Sequence, residues 1–325
     1  MEPKTSANIT IEMVEAAMAL VSPLVKRTPS ERSETLSGLL GTNVFVKYEL
    51  FQRAGSFKVR GAFNKLLNLT DEERSRGVVA VSGGNHAQAV AYTASRLGVD
   101  AVIVMPENTP KLYLDATTGY GAKIHKLPTI ADAFAMMEEY QTKGRVVIHP
   151  FDDPLVIAGQ GTVGLEISED VPDATDIFVS IGGGGLAAGI AIAVKAHKAG
   201  VRVWGVETEG ANAMALALEA GRPVTLSAIT SIAKTLGAPF VTELTLGLIR
   251  DLLEGVTVVS DAEAVDSMIL ILERLKVITE PAASCTLAAA LRHKHHFGPD
   301  ENVVLVFCGG NTGAEDLCRY LADLK

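Results

Sequence analysis

The sequence is short of basic residues, of cysteine and of aromatic side chains. Its 325 residues include 29 Lys and Arg against 38 Asp and Glu, and this net charge of −9 argues against a nucleic acid as partner. The three cysteines, Cys285, Cys308 and Cys318, have no C-x-x-C spacing, so neither a zinc motif nor a disulfide framework is indicated. Aromatic residues make up 5% of the chain but apolar residues 48%, which excludes a disordered chain.

The N-terminal segment lacks the features of a secretory signal. Its first twenty residues carry Glu2, Glu12 and Glu15, and no basic start precedes an apolar core. Residues 177–194 are free of charge over the roughly 18 positions that a membrane span requires. A run of four glycines divides this stretch into a short strand and a helix. We therefore expect a cytoplasmic protein without a membrane segment.

Short apolar strands alternate with helices along most of the chain. The length favours two domains or one large α/β unit. Helices of ten or more residues between short strands indicate βαβ units, so the fold class is α/β with mostly parallel open sheets flanked by helices. No Pro- or Ser-rich linker is present, which predicts that two domains would be interleaved. The strands are predicted at residues 43–50, 77–82, 101–105, 123–126, 145–149, 177–181, 201–206, 256–259 and 303–307, with helices at 58–69, 85–97 and 186–198.

Four segments combine glycine with polar or reactive groups, most of them where predicted strands end, which is where open α/β sheets bind ligands. In the first, G-S-F-K-V-R-G-A at residues 55–62, Lys58 begins a helix. The helix macrodipole disfavours a charged amine there, so Lys58 is a candidate to form a Schiff base with a carbonyl cofactor. The alternative is that Ser56 caps the helix and that Lys58 and Arg60 are ordinary solvent-facing cations.

The second segment, Ser82-Gly83-Gly84-Asn85-His86, follows a strand and opens a helix. Its glycines let backbone N–H groups approach a ligand, and a helix N-terminus attracts an anion such as a carboxylate. The alternative is a plain strand-to-helix turn in which Asn85 caps the helix. His86 taken alone is typical of a structural hydrogen-bonding residue.

The third segment is the glycine run at residues 182–185. Ordering four glycines costs backbone entropy, and a row of N–H groups at a helix start is suited to a phosphate. Gly183, Gly185 and Ala188 also match a permissive dinucleotide fingerprint, with Glu207 placed to meet a ribose hydroxyl. A nicotinamide-dependent oxidoreductase is therefore an alternative, but it does not account for the lysine and asparagine segments.

The fourth segment, F-C-G-G-N at residues 307–311, closes the last predicted strand. Taken alone, Cys308 is a small buried hydrophobic residue, as most free cysteines are. No neighbouring positive charge in the sequence argues for a reactive thiolate.

Together these segments resemble the fold-type-II pyridoxal phosphate enzymes, specifically the L-serine/L-threonine dehydratase and serine racemase group. The resemblance covers nearly the whole chain. It implies a tryptophan synthase β-like fold, pyridoxal phosphate as cofactor, a large domain of residues 1–70 and 152–325, and a small mobile domain of residues 71–151. The matching motifs are K-R-T-P at 26–29, S-F-K-x-R-G-A at 56–62, S-G-G-N-H-A-Q at 82–88, H-P-F-D-D-P at 149–154, I-A-G-Q-G-T at 157–162, the glycine run, T-E-P at 279–281 and C-G-G-N at 308–311.

The resemblance also implies a role for each site residue. Lys58 would hold the cofactor covalently and move the Cα proton, and Phe57 would pack beside the ring. The other cofactor-binding residues would be Asn85 at the pyridine 3′-oxygen, Gly182, Gly183, Gly184, Gly185 and Leu186 at the phosphate, Cys308 at the pyridine nitrogen, and Glu280 and Asn311. The substrate carboxylate would be held by Ser82, Gly83, Gly84, Asn85 and His86.

The implied reaction is β-elimination from a β-hydroxy amino acid, with L-threonine or L-serine as first candidates, giving a 2-oxo acid and ammonia. This is a carbon–oxygen lyase reaction. The alternatives are the same chemistry on 3-hydroxyaspartate or phenylserine, and serine racemisation. Racemases of the group place a second acid/base Ser at the position of Gly83, so efficient racemisation is not expected here.

A cation and an oligomer are the remaining implications of the resemblance. Racemase-like relatives bind a divalent cation through a Glu, a backbone carbonyl and an Asp. Glu207 and Ala211 match the first two, but Ala213 stands at the Asp position, which weakens the case for a divalent ion and leaves a monovalent one. The group also implies a homodimer or homotetramer.

Overall fold

The computed structural model describes residues 9–323. Part of the N-terminal segment that lacks the features of a secretory signal, including Glu2, lies outside the described residues. The strands are β1 (Ser30–Arg32), β2 (Asn43–Lys47), β3 (Val78–Val81), β4 (Ala101–Pro106), β5 (Lys123–Leu127), β6 (Val146–Val147), β7 (Asp176–Ser180), β8 (Arg202–Thr208), β9 (Gly255–Val259) and β10 (Asn302–Val306). The helices are α1 (Ile11–Val21), α2 (Glu34–Leu40), α3 (Lys58–Leu67), α4 (Asp71–Arg76), α5 (Asn85–Leu97), α6 (Lys111–Gly119), α7 (Ile130–Thr142), α8 (Pro154–Asp170), α9 (Gly185–His197), α10 (Ala213–Ala220), α11 (Glu243–Leu252), α12 (Asp261–Leu275), α13 (Pro281–His293) and α14 (Ala314–Asp323). Short 3-10 helices lie at Glu49–Phe51, Arg53–Gly55, Lys234–Leu236 and Lys294–His296.

The strands form two sheets, one in the order β1-β2-β10-β7-β8-β9 and one in the order β5-β4-β3-β6. All pairs in both sheets are parallel except β1 with β2. The predicted α/β class with mostly parallel sheets is therefore confirmed, and each predicted strand is present with bounds that agree within three residues. The prediction missed β1, because its three residues, Ser-Glu-Arg, are polar and have no apolar alternation.

The smaller sheet is built from one continuous part of the chain, β3 to β6, and the larger sheet from the parts before and after it. This arrangement matches the expected interleaving. The proposed bounds, residues 71–151 for a small domain and 1–70 with 152–325 for a large one, stay a prediction.

Close packing of α8 against α9 places the start of α9 beside the larger sheet. A Cβ on Gly189 in α9 would lie 2.5 Å from the carbonyl oxygen of Ile157 in α8, and a Cβ on Gly164 would lie 2.8 Å from that of Ile190. Glycine at these positions lets the two helix backbones approach. Part of the glycine content therefore serves helix packing and not ligand binding.

The apolar run at residues 177–194 is divided as expected. β7 ends at Ser180, the four glycines follow, and α9 begins at Gly185. Across residues 9–323, no helix combines the length and the apolar character that crossing a bilayer would demand.

Candidate active site

Lys58 is held beside the carboxyl end of β10 by backbone pairing. Ser56 forms an antiparallel bridge with Gly309, and the Phe57 N–H donates to the carbonyl oxygen of Cys308 at 3.1 Å. Lys58 is the next residue and begins α3. The structure thus brings the first and fourth segments of the sequence together.

The Lys58 side chain is partly buried, and its Nζ donates to the carbonyl oxygen of Pro150 at 3.0 Å. Nζ also lies 5.0 Å from the centroid of the Phe57 ring. Burial lowers the pKa of the Lys58 amine to about 8, with a smaller opposing contribution from Cys308. An amine with a lowered pKa is neutral more often and is a better nucleophile.

Arg60, two residues further along α3, is fully buried and bonded to two carboxylates. Its guanidinium donates to both oxygens of Glu49 at 2.7 and 2.8 Å and to both oxygens of Glu166 at 2.8 and 2.9 Å. Lys47 donates to Glu166 at 2.7 Å and to the carbonyl oxygen of Thr28 at 2.6 Å. We call Lys47, Glu49, Arg60 and Glu166 the Arg60 cluster. The alternative of two solvent-facing cations is wrong, and the cluster instead ties α3 to α8 and to the segment after β2.

Asn85, Glu280 and Asn311 form one hydrogen-bond network. Asn85 Nδ2 donates to both oxygens of Glu280 at 2.8 and 3.0 Å, and Asn311 Nδ2 donates to Asn85 Oδ1 at 2.7 Å. The backbone N–H of Asn311 and the hydroxyl of Thr235 complete the shell of Glu280, at 2.9 and 2.5 Å. Burial raises the pKa of Glu280. The capping interpretation of Asn85 is wrong, because Gly84 is the N-cap of α5 and the Asn85 side chain bonds elsewhere.

The loop at residues 82–86 lies between β3 and α5. Ser82 Oγ accepts the Gly84 N–H at 3.1 Å, and His86 Nε2 lies 2.7 Å from the carbonyl oxygen of Ile148. Since a carbonyl only accepts, Nε2 carries the proton, and burial lowers the pKa of His86 to about 3. A Cβ on Gly83 would lie 2.6 Å from the hydroxyl oxygen of Thr109. His86 is therefore neutral and fixed, and the assignment of this loop to a substrate carboxylate stays a prediction.

The glycine run joins β7 to α9 and packs against two bulky residues. A Cβ on Gly183 would overlap the ring of Phe151, and a Cβ on Gly182 would lie 3.1 Å from the carbonyl oxygen of Leu236. Gly184 has φ +96°, which side-chain-bearing residues rarely adopt. The first N–H groups of α9 have no partner within the helix, an arrangement suited to a phosphate.

The Cys308 thiol lies at the end of β10, buried beside Lys58. Ser180 Oγ donates to its Sγ at 3.3 Å, and Sγ lies 3.7 Å from the carbonyl oxygen of Ala282. Burial raises the pKa of Cys308 to about 12, so the thiol is neutral. Its burial agrees with the sequence-based interpretation of a small, unreactive residue.

Glu207 is buried at the end of β8 and accepts hydrogen bonds from the start of α10. Its two oxygens accept the N–H groups of Met214 and Ala215 at 2.9 and 2.8 Å, and burial raises its pKa to about 8. A ribose hydroxyl would have to compete with these bonds, which counts against the dinucleotide alternative. Within residues 9–323, no group of three or more His, Cys, Asp or Glu side chains could hold a metal ion. The cation at Glu207 and Ala211 stays a prediction.

Two residues that contact the site were not singled out from the sequence. Thr235 bonds to Glu280 from the 3-10 helix Lys234–Leu236, which is too short for a periodic pattern to mark a residue. Phe151 occurred only as part of a longer motif, and its packing against Gly183 depends on tertiary contacts. Nothing in the local pattern would have identified either one.

Comparisons with known proteins agree with this arrangement. The family described as "Pyridoxal-phosphate dependent enzyme" matches residues 21–309. The chain is 40% identical over 312 residues to the L-threonine dehydratase catabolic TdcB of Escherichia coli (strain K12), covering 95% of this chain and 93% of that one. Its structure is similar to that of maize serine racemase, with a TM-score of 0.91, 38% identity and 96% coverage of both chains. The processed form of threonine deaminase isoform 2 from Solanum lycopersicum gives a TM-score of 0.91 and 34% identity, covering 97% of this chain and 88% of that one.

Three features of the site fit pyridoxal phosphate. They are an amine with a lowered pKa at Lys58, glycines against which Phe151 and Leu236 pack, and the buried Ser56 hydroxyl, which has no hydrogen-bond partner among the described residues. The family match confirms the predicted cofactor, and the dehydratase relatives confirm the predicted lyase class. The chain belongs to the family of pyridoxal-phosphate-dependent enzymes.

Proposed function

We propose that this lyase removes water from L-threonine or L-serine, and that the released unsaturated amine then takes up water to give the corresponding 2-oxo acid and ammonia. One observation carries the proposal: the Lys58 amine is partly buried, pairs with no carboxylate among the described residues and has its pKa lowered to about 8. When bound, pyridoxal phosphate supplies a carbonyl for amines to attack and an electron sink for the pair left when a Cα proton is removed. The similarity to a threonine dehydratase over 95% of the chain supports threonine as a substrate.

Lys58 acts as the base that takes the Cα proton. With a pKa of about 8, about a tenth of the amines are neutral at pH 7, against roughly one in three thousand at the ordinary pKa of 10.5. The hydrogen bond from Nζ to Pro150 fixes the direction of the side chain. Burial therefore makes the amine available as a base, and the hydrogen bond to Pro150 orients it.

The remaining site residues bind and orient. The N–H groups at residues 182–186 would hold the phosphate, and Phe57 would pack beside the ring. Asn85, whose amide nitrogen donates to Glu280, would bind the 3′-oxygen, and Asn311 keeps the Asn85 amide in place by donating to its Oδ1. The resemblance to the family implies these roles, and the network of Asn85, Glu280 and Asn311 supports them.

Cys308 would meet the pyridine nitrogen as a neutral thiol. Its raised pKa keeps it from behaving as a carboxylic acid would, so it does not hold the nitrogen protonated. A weaker electron sink favours prompt loss of the β-hydroxyl over a long-lived carbanion. This supports elimination as the main reaction.

Ser82, Gly83, Gly84, Asn85 and His86 hold the substrate carboxylate at the start of α5. Gly83 has no side chain to donate a proton, which argues against efficient racemisation. The small domain, residues 71–151, closes on the substrate and excludes water. The Tyr113 hydroxyl of this domain donates to the carbonyl oxygen of Asn311 at 2.9 Å, a contact suited to the closed state.

The test is a substrate panel with a matched pair of lysine variants. We expect 2-oxo acid and ammonia from L-threonine or L-serine, at rates above those with 3-hydroxyaspartate, phenylserine or D-serine. Lys58→Ala should lower turnover by at least about a thousandfold, because both proton transfer and cofactor attachment are lost. Lys65→Ala, on the same helix, removes a partly exposed pair with Asp153 and should leave turnover nearly unchanged.

Three results would contradict the proposal or its parts. Turnover retained by Lys58→Ala would reject the assigned base, and D-serine formed as fast as pyruvate would reject elimination as the main reaction. A thermal shift with saturating NAD would favour the oxidoreductase. The cytoplasmic location and the homodimer or homotetramer are part of this proposal, and fractionation and light scattering test them.

A further inference from the structure

His149 organises the turn that leads from β6 into α8. Its Nδ1 accepts the N–H of Asp152 at 2.7 Å and, at 3.3 Å, the N–H of Phe151. A ring nitrogen that accepts an N–H carries no proton, so His149 is neutral with its proton on Nε2. The ring thus fixes the backbone of residues 150–152 from one side.

This turn contacts two separate parts of the proposed site. The carbonyl oxygen of Pro150 accepts the Lys58 amine at 3.0 Å. The ring of Phe151 fills the space where Gly183 has no side chain. The His149 ring packs edge-on against Phe151, with centroids 4.7 Å apart and planes at 84°. The His149 ring therefore supports both Pro150, which accepts from Lys58, and Phe151, which packs against the glycine run.

Burial keeps the His149 ring neutral despite the two carboxylates nearby. Burial, with Lys58 nearby, lowers its pKa, and the opposing effects of Asp152 and Asp153 are smaller than that of burial. Both carboxylates are occupied elsewhere, since Asp152 accepts the Thr242 hydroxyl at 2.7 Å and Asp153 pairs with Lys65 at 2.7 Å. His86, the other nearby imidazole, donates to Ile148 and is also neutral.

We propose that His149 is a positioning residue that, through its Nδ1 acceptor, couples the orientation of Lys58 to the shape of the phosphate-binding glycine run. The proposal rests on the proposed roles of Lys58 and of residues 182–185. Protonation of Nδ1 would turn the acceptor into a donor, and the Asp152 N–H would lose its partner. The turn would then hold neither Pro150 nor Phe151 in place.

Substitution of His149 by asparagine and by glutamine separates this role from any other that a histidine could have. An asparagine places its Oδ1 close to the position of Nδ1, whereas a glutamine places its polar atoms near Nε2. His149→Asn should therefore bind pyridoxal phosphate within about threefold of the wild type, measured by titrating the cofactor-free protein. His149→Gln and His149→Ala should lose at least about tenfold in cofactor affinity, the size expected for a lost hydrogen bond to a partly buried group.

A pH profile provides a second readout. Cofactor affinity of the wild type should fall on the acid side as Nδ1 takes up a proton, and His149→Asn should lack this fall because its amide does not titrate. Equal affinity of the Gln and Asn variants, an Ala variant that binds as the wild type does, or an unchanged acid limb in the Asn variant would each overturn the proposal.

Thermal unfolding of the cofactor-free variants tells misfolding from mispositioning. If His149→Ala fails to fold, the comparison of the Asn and Gln variants still decides, because both retain a polar amide and differ in which ring nitrogen that amide replaces. This test is separate from the test of the proposed function. Turnover retained by Lys58→Ala rejects the function, whereas the role of His149 is judged by the cofactor affinity of the Asn and Gln variants.

Discussion

Lys58 and Arg60 lie two residues apart in α3 and are both withdrawn from water, yet their pKa values shift in opposite directions. Burial alone would lower both. Glu49 and Glu166 reverse the effect for Arg60, whose pKa is raised. Among residues 9–323, no carboxylate pairs with Lys58, whose amine donates to the Pro150 carbonyl oxygen. The presence of carboxylates therefore decides the direction in which each pKa shifts.

The contrast separates a structural role from a chemical one within a single helical turn. The Arg60 cluster contains two cations and two anions, each no more than 2% exposed, so its charges compensate one another. A buried pair that is complete is stable, while removal of one member leaves an unpaired charge. Lys58 lacks such compensation, and this makes its amine available for chemistry.

The largest effect is expected when one charge of the Arg60 cluster is removed. Arg60→Met leaves Glu49 without a cationic partner and should lower the free energy of unfolding by about 3–5 kcal/mol. Urea denaturation of the cofactor-free protein measures it. Arg76→Met is the matched control, because Arg76 pairs with Glu72 at the surface and should cost about 1 kcal/mol or less. A loss for Arg60→Met no larger than for this control would remove the distinction between the two cations.

The lowered pKa of Lys58 should make the free energy of unfolding depend on pH. The folded-state pKa of Lys58, about 8, lies below the unfolded value of 10.5, so the unfolded chain binds more protons between these pH values. Lys58 therefore destabilises the protein most below pH 8, and this penalty disappears as the pH rises to 10.5. Relative to Lys58→Met, the cofactor-free wild type should gain at most about 3 kcal/mol across that window.

Paired urea denaturation curves at pH 7.5 and pH 10 check this second prediction. Groups other than Lys58 titrate in both proteins, so their contribution cancels in the difference. A difference between the proteins that stays constant with pH would mean that the Lys58 pKa is not lowered by folding.

The two cations also differ in how far the sequence could reveal them. Lys58 stood out because it begins a helix beside glycines and belongs to a motif. Arg60 is in the same motif, but its partners are not local: Glu49 lies in a short 3-10 helix and Glu166 in a helix of mostly buried residues. No local pattern marks a charged residue as buried.

The same limit applies to the rest of the site. The parallel strands and the division of the apolar run followed from periodicity and from the glycines. Asn85 and Asn311 are 226 positions apart and meet only in the folded chain, so their network came from a resemblance and not from spacing. The sequence did not single out Thr235, because its three-residue 3-10 helix is too short to show a periodic pattern.

The smallest effect is expected at Cys308, whose thiol makes only a minor contribution to the Lys58 pKa. Cys308→Ser keeps a neutral side chain that can accept from Ser180, so the Lys58 pKa should move by less than about half a unit. The pH dependence of amine labelling at Lys58, followed by mass spectrometry of the cofactor-free protein, gives this pKa directly. Cys308→Asp adds a carboxyl group beside the amine and should move the midpoint of labelling upward, toward the behaviour of Arg60. A serine variant that shifts the midpoint as far as the aspartate does would show that packing around Lys58, and not the absence of a carboxylate, sets its pKa.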